Sequence, residues 1–396
     1  MNALEVIFWI MAAVVVYTYV GYGLVLWLMV KVKEWFVKPL PTPKLSDEEL
    51  PEMTLFICAY NEELVIDEKM ANSLDLDYPR EKLHIVWCTD GSNDRTVELL
   101  NRWPQATVLH SPERKGKTAA INRGIAYVKT PIVSFTDANT KLNREALRLI
   151  AEAFTDETVG CVSGEKRIQT GETADAAQGG EGIYWRYEST LKALDSRLYS
   201  AAGAAGELFA IRRHLFQPIE EDALLDDFIL SMRIVERGYR IAYLKEAYAM
   251  ESGSADLMEE EKRKVRIAAG GLQSIARLTP LLNPLRYGIF TFQYVSHRVL
   301  RWSITPILLF ALLPINIILI FTTEQHAFYA TLWLLQALFY LAGSLGYLLS
   351  MRRIKNKLLF VPCYFLFMNA NVIRGFYYLR KRRKSEAGTW AKSRRA

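Results

Sequence analysis

The sequence predicts an α/β domain, built on a mostly parallel sheet, joined to transmembrane and interfacial α-helices. Three observations carry that reading. Four short apolar runs recur between Met53 and Phe135, separated by polar turns and helical stretches, which is the alternation of a parallel sheet. Apolar runs long enough to cross a hydrocarbon core of about 30 Å stand towards both ends of the chain. With 396 residues the chain has room for one soluble domain of roughly 230 residues beside those runs.

The elements follow in order. Val6 to Val30 is apolar and followed by Lys31, Lys33 and Lys38, so it reads as a spanning helix with its N-terminus outside and its basic end in the cytoplasm. After the linker KPLPTPK, Met53 to Ala59 is a strand that stops at Tyr60-Asn61-Glu62-Glu63. Leu83 to Cys88 is a second, stopping at Thr89-Asp90-Gly91-Ser92-Asn93-Asp94. Thr107 to Leu109 is a third, and Pro131 to Phe135 a fourth, stopping at Thr136-Asp137-Ala138-Asn139. Ligands of such sheets sit at the carboxyl ends of the strands, where Tyr60, Asp90 and Asp137 fall. A single acid there is ordinary turn or cap chemistry; several polar stops in one sheet point to a site.

Leu281 to Trp302 mixes aromatics with Arg286, His297, Arg298 and Arg301 and is expected to lie in the headgroup plane, either as a connector that anchors the domain or as a helix that lines an acceptor path. Ser303 to Phe321 and Ala327 to Ser350 read as a membrane hairpin returning through the basic link MRRIKNK. Leu358 to Leu379, interrupted by Asn369, Asn371 and Arg374, is expected to be interfacial or re-entrant. The organisation is therefore residues 1–50, membrane helix and linker; 51–280, catalytic domain; and 281–396, interfacial helix, hairpin, further apolar segment and basic tail.

Charge and cysteines narrow the class. The net charge is +6, but Arg374 to Ala396 holds nine basic residues against one acid, so the chain before it sums to −2. Such a tail beside apolar segments fits an anchor to anionic membrane lipids and not a nucleic-acid arm. The cysteines, Cys58, Cys88, Cys161 and Cys363, lack the spacing of a zinc site or the density of a disulfide framework. Cys58 and Cys88 read as core.

These motifs, in this order, resemble the inverting family-two glycosyltransferases of GT-A fold, the group of cellulose, hyaluronan and poly-N-acetylglucosamine synthases. The resemblance runs from about residue 53 to residue 273. It implies that Ala59, Tyr60 and Glu62 form the first nucleotide-binding segment, that Asp90 recognises the uracil end of a UDP-sugar, and that Lys117 of RKGKTAAIN lies near the donor. Asp137-Ala138-Asn139 sits where the family's metal-binding DxD would be, implying Mg²⁺ or Mn²⁺ held by Asp137, with Asn139 a neutral ligand in place of the second acid. Gly116-Lys117-Thr118 also looks like the end of a P-loop, but Ser111 stands where that motif requires glycine.

With Ser231-Met232-Arg233 and Gly238-Tyr239-Arg240 aligned, Asp226-Asp227 occupy the family's Glu-Asp pair. Asp227 is then the general base and Asp226 its acceptor-side neighbour; a charged helix N-terminus is the plainer account of both. Arg263 to Ile267 falls where processive relatives carry QxxRW: Arg266 retains the arginine, Arg263 replaces glutamine and Ile267 replaces tryptophan. Arg263 and Arg266 together would grip a diphosphate, or KRKVR is a basic surface run. Ser200 to Arg213, rich in Ala and Gly, resembles the acceptor-side loop, with Gly206 its expected contact and tight helix packing its plainer reading.

The expected function is transfer of a hexose or N-acetylhexosamine from a nucleotide sugar to a growing exopolysaccharide. It would occur at the cytoplasmic face of a multi-pass protein in the cell (inner) membrane. Two alternatives stand: a single addition to a lipid carrier or glycolipid, and a non-enzymatic membrane scaffold or transport subunit with a degenerate transferase domain. Expected partners are the donor, a glycan or lipid-linked acceptor, membrane lipids and an accessory membrane protein.

Overall fold

A computed structural model of the chain describes residues 2–38, 41–169, 176–252, 257–351 and 358–382. All four expected strands form: β1 Met53–Ala59, β2 Leu83–Asp90, β3 Ala106–Ser111 and β4 Ile132–Asp137. They join β5 Lys141–Leu142, β6 Val159–Gln169, β7 Leu208–Arg212 and β8 Arg240–Ser252 in one sheet of order β3-β2-β1-β4-β7-β6-β8-β5. The pairs β1/β2, β1/β4, β2/β3 and β6/β8 are parallel, whereas β7 runs antiparallel between β4 and β6, and β5 runs antiparallel to β8.

Every residue of β1 is buried, as a strand covered on both faces requires. Phe56 and Cys58 face one core, with Phe135, Phe209 and Ile229; Leu55, Ile57 and Ala59 face the other, with Trp87, Leu147 and Ile150. Register then places the site. Asp137 lies opposite Cys58, and Thr89 opposite Ala59, so Asp90 and Asp137 end the two strands that flank β1. The antiparallel β7 delivers something a purely parallel sheet would not. Its first residue, Leu208, pairs with Thr136, and the Thr136 hydroxyl donates to the Glu207 carbonyl at 2.9 Å. The Ala- and Gly-rich loop before β7 is thereby held at the same edge as Asp137.

Among the described residues three helices are long and apolar enough to cross a membrane: Ala3–Phe36, Ile304–Thr322 and His326–Met351. The first contains a π-helical turn at Tyr17–Gly21. It packs on the hairpin, where Thr18 Oγ1 lies 3.0 Å from Thr305 Oγ1 and Glu5 is buried beneath the Tyr329 hydroxyl.

Two expectations change. Leu281 to Trp302 does not turn all its cations towards lipid headgroups: the segment breaks at Gly288, Arg286 before it is exposed, and the helix that follows, Ile289 to Trp302 with a π-helical turn at Val295–Val299, buries His297, Arg298 and Arg301 against the helix Ala176–Leu198. The reason is charge pairing, because that helix carries Glu188 and Asp195 on the facing side and a buried cation requires a buried anion. The segment after the hairpin is one unbroken helix, Phe360–Arg382, so of the two forms expected, interfacial or re-entrant, the re-entrant one is removed. Asn369 and Asn371 are buried inside the bundle. The basic link from residue 352 to 357, most of the tail, from 383 onward, and Pro39 and Leu40 of the linker lie outside the described residues.

Candidate active site

The site is assembled from the ends of β1, β2 and β4, the turn into the helix Lys117–Gly124, and the first turn of the helix Asp226–Glu236. Ala59 is buried and ends β1, with Tyr60 and Glu62 in the turn that follows. That turn is tied to the one after β2. Asn61 Nδ2 donates to Asn93 Oδ1 at 2.7 Å, the Asn93 amide returns a bond to Asn61 Oδ1 at 2.9 Å, and the Glu62 amide donates to Thr96 Oγ1 at 2.8 Å. The Arg114 guanidinium covers the Tyr60 ring at 3.8 Å.

Asp90 is buried, 3% exposed, and its carboxylate accepts from two backbone amides, Lys115 at 3.0 Å and Gly116 at 2.7 Å. It thus fixes the turn that aims Lys117. Gly116 is needed there because its φ is 99°, a region side chains strongly disfavour.

Lys117 is the hub. Its Nζ donates to Asp137 Oδ1 at 2.8 Å and stands 3.8 Å from Asp226 Oδ2. Burial works against the ammonium, but the Asp137 and Asp226 carboxylates outweigh it and hold Lys117 well above its ordinary value. Asp226 Oδ2 is itself buried without a hydrogen-bond partner. Asp227, next in the helix, is pushed up to about 7 by burial and then by the Asp226 carboxylate beside it. A Cβ on Gly206 would approach Asp227 Oδ2 to 3.0 Å, so the loop backbone lies directly against that carboxylate.

Sequence reasoning missed the charged groups behind this cluster. Lys166, with its side chain 1% exposed, places Nζ 2.5 Å from both Glu207 and Glu251; burial would raise Glu207, but Lys166 holds it far below the usual carboxylate range. Glu251 in turn faces the Asn139 amide at 3.5 Å. Lys69 is buried under the DxD-like turn, donating to the Thr140 carbonyl at 2.7 Å and to Thr136 Oγ1 at 3.1 Å, and desolvation lowers it to about 7. The available signal was Glu207 following Gly206 in an otherwise uncharged loop; Lys69 had none beyond its place on an amphipathic helix.

The expected arginine pair is not brought together as a clamp. Arg263 is buried and bidentate to Glu260 one turn earlier, at 3.0 Å through both Nε and Nη2, whereas Arg266 is exposed. Three positions apart on a helix leaves room for that divergence, because Glu260 captures only one of the two. Among the described residues no group of three His, Cys, Asp or Glu side chains could hold a metal ion. A cation therefore fits here only with most of its ligands supplied by something other than the protein. Lys117 already stands between Asp137 and Asp226, so a metal ion would share Asp137 with it, and the buried Asp226 Oδ2, which accepts no hydrogen bond, is the further oxygen on that side.

Residues 54–219 match the family model described as Glycosyl transferase family 2. The chain is 27% identical over 238 residues to the probable glycosyltransferase YdaM of Bacillus subtilis, an alignment covering 54% of each chain. It is 28% identical over 247 residues to the poly-beta-1,6-N-acetyl-D-glucosamine synthase of Staphylococcus aureus, covering 59% of this chain and 58% of that one. The chain thus aligns over little more than half the length of these curated relatives. In fold it is similar to the mannosyltransferase PcManGT of Pyrobaculum calidifontis, solved with GDP-Man and Mn²⁺: TM-score 0.69 at 22% identity, over 93% of this chain and 98% of that one. The GT-A fold expected from the sequence is therefore the one observed.

Proposed function

We propose, on the premise that residues 54–219 are a glycosyl transferase family 2 domain, that the chain is an inverting glycosyltransferase. It moves a hexose or N-acetylhexosamine from a nucleotide sugar to an acceptor hydroxyl at the cytoplasmic face of the cell membrane. The observation that carries this reading is the convergence of Lys117, Asp137, Asp226 and Asp227 at one end of the sheet, with Asp227 pushed up to about 7.

In this mechanism Asp227 takes the proton of the attacking hydroxyl while that oxygen bonds to the anomeric carbon, and the nucleoside diphosphate leaves with the bonding pair of electrons. A base is most effective when its pKa lies near the working pH, which is where burial and Asp226 put this one. Gly206 leaves the space beside Asp227 through which the acceptor oxygen approaches. Lys117 supports the leaving diphosphate. Asp137, with Asn139, would hold Mg²⁺ or Mn²⁺, which supplies the further positive charge that the leaving group develops against. Asp90 serves the donor by shaping the Lys115-Gly116 turn, and Tyr60 with Arg114 offers a flat surface for a base.

The donor we favour is a UDP-sugar and the product an exopolysaccharide, as in the named activity of the Staphylococcus aureus relative. Membranes containing the chain, incubated with radiolabelled UDP-sugars and GDP-mannose plus Mn²⁺, should transfer label from one donor, and product sizing then gives the number of additions. No transfer from any donor, with or without Mn²⁺, rejects the reading.

A further inference from the structure

A cavity of about 360 Å³ lies between the membrane helices and the sheet domain. Its wall is largely apolar, with Tyr19, Tyr184, Ile267, Trp302, Phe365 and Val372 among its lining, and none of Lys117, Asp137, Asp226 and Asp227 borders it. Arg301, Lys264 and Asn369 also open on it. Arg301 is only 8% exposed. Its Nη1 donates to Glu188 at 2.9 Å and its guanidinium lies beside the Tyr187 and Tyr19 rings, at 5.3 and 6.0 Å, with a side-chain hydrogen bond to Tyr187, while Nε and Nη2 are buried without an acceptor. A guanidinium with open N–H groups in an apolar wall is costly unless an anionic oxygen completes it.

Among the described residues Glu188 is shared by Arg298, Arg301 and His297. The cavity is also linked to the proposed base. Arg298, one turn before Arg301, donates through Nε to the Ala202 carbonyl at 2.9 Å, in the loop whose Gly206 lies against Asp227. Trp302 packs edge-on against Phe228, the residue after Asp227, with ring centroids 5.0 Å apart.

We propose that this cavity receives the acceptor as a lipid-linked saccharide, with hydrocarbon chain among the apolar side chains, the phosphate of its linkage on Arg301, and its sugar reaching towards Asp227. The proposal rests on the transferase reading above. An apolar cavity at membrane level that ends on an arginine matches a molecule with a long apolar chain and a phosphate, and neither a free glycan nor a plain hydrocarbon satisfies both halves. In the transfer the acceptor sugar's oxygen bonds to the donor's anomeric carbon, Asp227 takes the hydroxyl proton, the bond from that carbon to the diphosphate breaks, and the lipid phosphate is unchanged. Arg301 is in this scheme a binding residue for acceptor alone.

The test uses the full chain in lipid nanodiscs with a photoreactive polyprenyl phosphate and the matching polyprenol. The phosphate probe should label the protein, the polyprenol weakly, and Arg301→Gln should cut labelling by about tenfold, the loss of one charge-assisted contact. Val361→Trp, placed at an exposed cavity position where it does not disturb the core, should also cut labelling. With a donor established, a polyprenyl-diphosphate-linked sugar should be the better acceptor than the same sugar free, and Arg301→Gln should raise its KM while leaving the donor KM unchanged. Equal labelling by polyprenol, protection by inorganic phosphate at the probe's own concentration, or labelling indifferent to both variants overturns the site. A free sugar that accepts as well as the lipid-linked one overturns the acceptor role. If labelling depends on Arg301 but no donor supports transfer to any acceptor, the transferase reading fails and the acceptor role with it, while the lipid-phosphate site stands.

Discussion

Two clusters of charge, one at the sheet edge and one against the long apolar helices, both set carboxylates against basic side chains and are arranged to opposite ends. At the sheet edge Lys117, Asp137 and Asp226 keep side-chain exposures of 20%, 30% and 15%, and they are held by only a few contacts. Against the membrane helices, Glu188, Asp195 and His297 are at or below 2% and interlocked, with His297 Nδ1 2.5 Å from Asp195 and Nε2 3.2 Å from Glu188. The Tyr22 hydroxyl of the first membrane helix also donates to Asp195, and Gln293 Nε2 donates to its backbone carbonyl at 2.8 Å. The first cluster is partly open to solvent and can exchange partners with a ligand. The second is closed around Glu188, Asp195 and His297 and turns Arg301 to the cavity, so its buried pairs fix how the domain sits on the helices.

Neutralising an acid should therefore have different consequences in the two places. Asp227→Asn should lower transfer by about 10²- to 10⁴-fold, the range general-base catalysis supplies, while nucleotide affinity stays within a few-fold. Single-turnover transfer and nucleotide titration on the same protein would separate the two, and transfer at the normal rate would remove Asp227 as the base. Glu188→Gln should leave the donor site untouched but unfold the protein more easily by about 3–5 kcal/mol, because Arg298 and Arg301 would remain buried without their carboxylate. A denaturation midpoint unchanged by that substitution would show the membrane-side network to be ornamental.

A smaller effect tests the edge of the open cluster. Gly206→Ala places a methyl carbon 3.0 Å from Asp227 Oδ2. The loop must give way by a few tenths of an ångström, and kcat should drop by roughly tenfold with little change in stability, since misplacement of this size is felt chiefly in the reacting geometry.

The contrast also explains what the residues disclosed in advance. The four parallel strands and the acids that end them were legible because an apolar run followed by Asp or Asn is a local pattern, and Met53–Ala59 matched to the residue. The pair Asp226-Asp227 was legible through its neighbours in sequence. Long-range pairing was not. That Arg263 would turn to Glu260, that Arg298 and Arg301 would face Glu188 across more than a hundred residues, and that Lys166 would sit between Glu207 and Glu251 depend on which helix and strand faces meet. The antiparallel β7, which brings Gly206 to Asp227, left no mark in the alternation of strands and helices. The mixture of aromatics and cations in Leu281 to Trp302 suggests headgroups as the partner of those cations, whereas His297, Arg298 and Arg301 meet buried acids, because basic residues pair as readily with either.

The smallest expected effect is the most specific, since it ties the activity and the stability of the open cluster to one proton. The Asp227 carboxyl is raised from its ordinary 3.8 to about 7, so between those values the folded protein keeps a proton that the unfolded chain has lost. Folding is therefore favoured on the acidic side, and the contribution is lost as pH rises through 7, where an ionised Asp227 must sit beside Asp226. Transfer needs that ionised form and should instead rise through about pH 7, falling tenfold per unit well below it. Asp227→Asn should erase both trends, and between pH 6 and pH 8 the wild type should lose stability relative to the variant by on the order of 1 kcal/mol, the worth of the one unit that separates pH 6 from the folded value. Melting curves of the wild type and the variant at pH 6 and pH 8, beside the pH profile of transfer, would check it; a pH-independent difference between the two proteins would mean that Asp227 is not the group that titrates.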